Sequence, residues 1–349
     1  MSVDAPTVPL HRGILLPQDR RTLRYAVGAT IAMAIALGVG WPLSFLTPVL
    51  SLGFLAAPAR LELKAGLGFV AVVAAACLAG LVLVEFLLPF PLVYLPFIGL
   101  VLFRLFYAKA GGASPLVVMW LLIALLVLPL VGMQMPEIAF FVAAGLVFGA
   151  AMMVLLVWLT WAMFPDPPAP VAGPPVPAVP AAPPPTNAVK LKSALLSVTV
   201  VFPAVAIFYT MQWTGGILIL IFIAILSMQP GVAGNLKMGM ALIIGNVVGG
   251  IASVMFYETL VMVPSFPFMI LLTLLCGLAF GRQLFSGKKK APLFGMAFST
   301  VLLIIGSTTS STDDAGNAVI IRVLQMMTAV VYVVLAFGLM ERLSRQRKA

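Results

Sequence analysis

Cysteine and histidine are nearly missing from this sequence, and charge is scarce. The two cysteines, Cys77 and Cys276, each lie in an apolar run, so neither a disulfide framework nor a thiolate metal site is implied. A single histidine, His11, leaves no material for a histidine metal site or an imidazole relay. Aspartate and glutamate together number ten, and the one adjacent pair, Asp313 and Asp314, has no second acidic cluster with which to hold a metal. No Walker-type phosphate loop occurs, which removes the usual grounds for ATP hydrolysis. No cofactor is therefore expected, and no enzymatic activity. With 9% charged residues the chain has too little polar surface to coat a soluble globule.

What is abundant is apolar: 62% of the 349 residues. The apolar material comes in blocks of about 15 to 25 residues, near the length a helix needs to cross a bilayer. Runs such as Ala71 to Leu78 lack the alternation of a barrel strand. The expected fold is an all-α polytopic transmembrane helix bundle of about 12 helices, arranged as two repeated six-helix halves. The expected organisation is an N-terminal tail (1–22), a first membrane repeat (23–164), a Pro/Ala-rich linker (165–190), a second membrane repeat (191–340) and a basic tail (341–349). The first apolar stretch is long and lacks a cleavage-site pattern, so it reads as a retained helix.

Orientation follows from the basic residues. With the N-terminus cytoplasmic, inner loops and tails hold every Lys and Arg except Arg322, whereas Glu85, Glu137, Glu258, Asp313 and Asp314 fall at or near the outer face. An even number of spans puts both termini in the cytoplasm. The net charge of +10 is a topology signal met by anionic headgroups, and nucleic acid is not an expected partner.

The halves look like copies. Trp41 and Trp213, and likewise Pro58 and Pro230, are separated by the same interval; Lys64 and Lys237, Gly66 and Gly239, and Glu85 and Glu258 repeat one residue further apart. Duplicated helical halves are a common plan for transporters, with the substrate held where the repeats meet. Spans two and eight, at about 43–58 and 215–230, are short and interrupted: Pro48 and Gly53 break the first, and Gln229, Pro230 and Gly231 end the second. Short broken spans in matching positions point to a binding site, although irregular packing helices would read the same way.

Several segments resemble the fusaric-acid-resistance (FUSC) membrane domain shared with aromatic acid exporters. They are Leu23 to Thr30, then Ser227-Met228-Gln229-Pro230-Gly231 with Lys237-Met238-Gly239, and the glycine-rich Gly245 to Gly250. Asn246 stands where that family usually has threonine, and Ala318 to Arg322 resembles the family's basic residue near the start of its last helix. The resemblance implies efflux of aromatic acids or other amphiphilic toxic compounds, driven by an ion gradient, across a bacterial inner membrane, which is then the expected location, commonly beside a periplasmic adaptor (membrane fusion) protein. An importer and a non-transporting assembly or scaffold subunit are the alternatives, and a homo-oligomer is compatible with each.

Specific side chains can be assigned tasks under that reading. Arg322, with Gln325 at i+3, is the candidate substrate-binding pair, because a guanidinium binds a carboxylate bidentately and an intramembrane charge is costly. Asp313 and Asp314 are either part of that site or the partners to which Arg322 snorkels. Glu85 and Glu258 are proton-coupling candidates, since burial would raise their affinity for a proton; as plain interface markers they would do nothing of the kind.

Overall fold

The structure is a computed structural model that describes residues 17–165, 186–228, 236–309 and 315–346. Among these residues all regular structure is helical. The first half comprises α1 (Pro17–Val39), α2 (Leu46–Leu55), α3 (Leu63–Val82) continued by a π-helical turn (Leu83–Leu87), α4 (Pro91–Ala110), α5 (Pro115–Gly132) and α6 (Pro136–Met163). The second comprises α7 (Asn187–Thr210), a 3-10 turn (Thr214–Gly216) running into α8 (Ile217–Leu226), α9 (Leu236–Met262), α10 (Phe266–Leu284), α11 (Ala291–Thr309) and α12 (Ala315–Gln346).

Backbone amides have no water to bond in hydrocarbon, so apolar runs of this length close their hydrogen bonds internally as helices. Proline opens several of them, Pro91, Pro115 and Pro136 each standing at the start of its helix, where the missing N–H is not required. Ten helices are long and apolar enough to cross a membrane. This is a multi-pass membrane protein. Its perimeter carries exposed large apolar side chains such as Leu92 and Met262, which bilayer lipid covers.

Two helices differ from expectation in length. α2 and α8 have only 10 residues each, about 15 Å and so roughly half of the hydrocarbon thickness. In the first half the reason is visible: after Leu55 the chain passes through Pro58 and a non-helical stretch to Glu62, pinned where the Trp158 indole donates to the Leu61 carbonyl at 2.9 Å. The segment from Gln229 to Asn235 that follows α8 lies outside the described residues. At the other extreme, α7 begins inside the stretch expected to be linker, and α12 runs to Gln346, past the expected end of its span.

The halves correspond helix by helix. α1 ends at a left-handed residue, Gly40 (φ 69°), followed by Trp41; α7 ends at a left-handed Gln212 (φ 50°), followed by Trp213. Glycine adopts this conformation freely, whereas Gln212 does so against steric resistance, so both chains are turned the same way into their short helices. Packing follows the same symmetry. α1 packs on α10 while α4 packs on α7; α5 packs on α8 while α11 packs on α2; α3 meets α5 and α6 as α9 meets α11 and α12. The halves are therefore interlocked, because the principal neighbour of each leading helix belongs to the other half.

Small residues make the close approaches. A Cβ on Gly277 of α10 would lie 3.0 Å from the Ala26 Cα of α1, and Gly99, its counterpart on α4, lies equally close to Phe202 of α7. Gly245 and Gly249 of α9, spaced one helical turn apart, seat α11 in the same manner. Beside them the Thr300 hydroxyl donates to the Asn246 side-chain oxygen at 2.9 Å, a buried polar bond between α9 and α11.

Candidate functional site

A cavity of about 950 Å³ opens at the end of the bundle opposite the N-terminus, between the two halves. Its walls are built from matching parts of each half. From the first come Leu37 and Gly40 at the end of α1 and the turn from Trp41 to Phe45 that enters α2; from the second come Thr214, Gly215, Ile217 and Leu218 at the entry to α8. The α9–α10 connection supplies Pro264, Ser265 and Phe266, and α11 supplies Ser307.

Local sequence explains how the turns are held. Gly145 and Gly149 on α6 leave room for the first: added Cβ atoms would stand 2.8 Å from the Pro42 carbonyl oxygen and 2.6 Å from the Thr47 hydroxyl. Trp41 packs edge-on against Phe148, with ring centroids 4.9 Å apart. Around the second turn, Trp213 stacks on Phe208 at 4.9 Å, and Gly216 admits the Phe208 ring. Gln134 donates to the Thr214 hydroxyl from the α5–α6 connection. In the first turn Leu43 adopts a left-handed φ of 57°, a conformation that non-glycine residues occupy only where neighbours enforce it.

The chemistry of this cavity is aromatic and hydroxylic. Trp41, Phe45 and Phe266 offer flat apolar surface, and Ser44, Thr214, Ser265 and Ser307 offer hydroxyls. Among the described residues no Asp, Glu, Lys, Arg or His lines it. The first turns of two short helices also face this region, and helix N-termini carry partial positive charge. Such a lining sets flat apolar surface beside hydrogen-bonding hydroxyls.

Gln325 does not line this cavity, but its side-chain amide donates at 3.2 Å to the carbonyl of Gly215, which does. Arg322 lies one turn earlier on α12, with its side chain outside the described residues, as are Asp313, Asp314, Gln229, Pro230 and Gly231. Pro48 is buried in the first turn of α2, and Gly53 packs against Leu116 of α5. Glu85 sits in the π-helical turn after α3 and Glu258 on α9; both side chains lie on the protein's surface, and neither lines the cavity.

Sequence reasoning missed the cavity's serines and Phe266, which carry no motif. It also passed over Arg24 as an inner-loop charge. Arg24 is wholly buried, with its guanidinium carbon 3.5 Å from the centroid of the Trp161 ring. The only available signal was its position inside an apolar run starting at Leu23.

Residues 21–160, spanning α1 to α6, match the model of a family described as a protein of unknown function (DUF2955), a membrane-protein family. Its description mentions neither fusaric acid resistance nor export. No curated protein and no solved structure matches the chain.

Proposed function

We propose that this chain is a membrane transporter that expels organic, chiefly aromatic, acids or amphiphilic toxic compounds, driven by an ion gradient. The observation that carries the reading is the cavity of about 950 Å³ between the matching halves, at the entries of both half-length helices. A site at the junction of two repeats can be exposed to either side by rocking one against the other. The direction, outward, rests on the resemblance to aromatic acid exporters, as does assistance by a periplasmic adaptor. The distribution of Lys and Arg supports cytoplasmic termini, and a bacterial inner membrane rests on the same resemblance as the direction. Transport is preferred to catalysis because the cavity has no ionisable lining residue among those described.

The direct test is a deletion strain challenged with a panel of aromatic acids, dyes and detergents, with intracellular accumulation followed before and after collapse of the proton gradient. Accumulation of at least one aromatic acid should rise on deletion, fall on complementation, and lose that difference when the gradient is collapsed. Unchanged accumulation of every compound, in cells that make the protein, favours an assembly subunit; lower accumulation on deletion means uptake.

Two substitutions refine the reading. Arg322, one turn before Gln325, is assigned the substrate carboxylate. Arg322→Ala should therefore slow export of acids by about tenfold, roughly the value of one charge-assisted bond, while sparing neutral amphiphiles. Equal slowing of both classes would remove this role. For Glu85 and Glu258 the expectation is the reverse. Because neither lines the cavity, the double Glu→Gln variant should keep its dependence on the proton gradient, and loss of that dependence would place coupling on them.

A further inference from the structure

The two halves match closely, and one place where they part is the cleft between their first and last helices at the N-terminal, basic end of the bundle. In the first half this cleft is filled by the chain itself, the buried Arg24 guanidinium of α1 lying on the Trp161 ring of α6. In the second half Leu196 of α7 takes the place of Arg24, at the interval that relates Trp41 to Trp213, and Met340 of α12 stands across from it. Farther along, the helices are joined where the Tyr332 hydroxyl donates to the Val200 carbonyl at 2.9 Å. From that point back to the first turns of α7 they leave a groove of about 330 Å³, lined by Leu191, Lys192, Leu195, Leu196, Thr199 and Met340.

The groove has a direction. Lys192, its one charged lining residue, is exposed near the start of α7. Between Lys192 and Thr199 the walls are apolar over about 10 Å of helix. Glu341 and Arg342, which follow Met340, cancel in formal charge, so Lys192 sets the sign at the mouth. The same end of the bundle carries Arg20, Arg21, Lys109, Lys190, Arg282 and Lys288 to Lys290.

We propose that this groove is a lipid site that takes one acyl chain of an anionic phospholipid, with the headgroup phosphate on Lys192. An apolar slot at the edge of a membrane protein is filled by hydrocarbon, and the cation at its mouth selects which headgroup accompanies that chain. The occupant replaces, in the second half, the packing that Arg24 and Trp161 provide in the first. The proposal is independent of any transport activity.

Native mass spectrometry of the purified full chain tests it, with phosphatidylglycerol or phosphatidylcholine added to the detergent micelles. The parent should retain one phosphatidylglycerol more readily than phosphatidylcholine by about fivefold, the preference expected of a single interfacial lysine. Lys192→Glu, a change at an exposed position, should remove the preference, and Lys192→Arg should keep it. Leu196→Trp should fill the slot and reduce retention of both lipids. Parental retention of phosphatidylglycerol by Lys192→Glu and Leu196→Trp alike would overturn the site. Equal retention of the two lipids by the parent would overturn the headgroup assignment, and a bound mass equal to a second copy of the chain would overturn the occupant.

Discussion

Introducing Thr214→Trp together with Ser265→Trp should reduce transport by about tenfold or more, a rise of at least about 1.4 kcal/mol in the barrier. Both residues line the cavity, Ser265 being exposed at its rim and Thr214 partly so. Neither belongs to the buried core, so the added indoles can turn into the cavity without displacing a packed helix. A binding cavity encloses most of its ligand's surface, and two large rings at the mouth take space that an aromatic substrate must use. Accumulation of the acid identified by the deletion panel is the readout, normalised to protein abundance, with the thermal transition in detergent as a check on folding. A double variant that folds normally and transports at the parental rate would show that substrate passes elsewhere.

Gly249→Val is expected to produce the largest loss of stability. The first atom added at this position would stand 2.5 Å from the Thr300 Cβ and 2.6 Å from the Ala297 carbonyl oxygen. Backbone cannot yield as the tip of a long side chain can, so α9 and α11 must separate. Overpacking of this kind costs about 1–3 kcal/mol. Separation also stretches the bond between Thr300 and Asn246, placing the variant at the upper end of that range. Gly68→Ala is the matched control, since nothing lies within 4 Å of the added atom, and alanine favours a helix over glycine by about 1 kcal/mol. Thermal aggregation in detergent should therefore move down for Gly249→Val and stay level or move up for Gly68→Ala.

Much of the fold is legible in the residues because the bilayer permits so few alternatives. An apolar run of 18 or more residues becomes a crossing helix, and prolines mark where several begin. Pro48, Gly53 and the Gln229-Pro230-Gly231 stretch indicated that spans two and eight would be short, but not that each helix would be only 10 residues long. That length depends on where the following segment is anchored, as at the Trp158 to Leu61 bond, and such a contact between distant residues leaves no local pattern. The π-helical turn around Glu85 is similarly unmarked; its counterpart around Glu258 stays α-helical with the same glutamate.

The candidate site was less legible, for a chemical reason. Charged residues attract attention in an apolar sequence, whereas Ser44, Ser265 and Ser307 are unremarkable until the fold places them around one space. Gln325 was found through its spacing from Arg322, and its bond to Gly215 ties it to the cavity. Arg24 was missed because a residue near the start of a span looks like a topology marker. Its complete burial results from the crossing of α1 with α6 and α10, and helix crossings are set by tertiary packing.

The interlocking of the halves also bears on how the protein is made. α1 leaves the ribosome more than two hundred residues before α10, the helix on which it packs most extensively. At about 5–20 residues per second, that interval lasts on the order of 10 to 45 seconds. Throughout it the face of α1 that carries Ala26, which Gly277 of α10 meets in the finished protein, must lie against lipid or the insertion machinery. Methyl groups tolerate that wait; the Arg24 side chain, destined for the same interior, must meanwhile keep its charge at the water interface. Trp161 of α6 meets this arginine first, insertion of α10 then completes the packing on α1, and a nascent chain halted after α6 would hold its first helix in the membrane without its final neighbour.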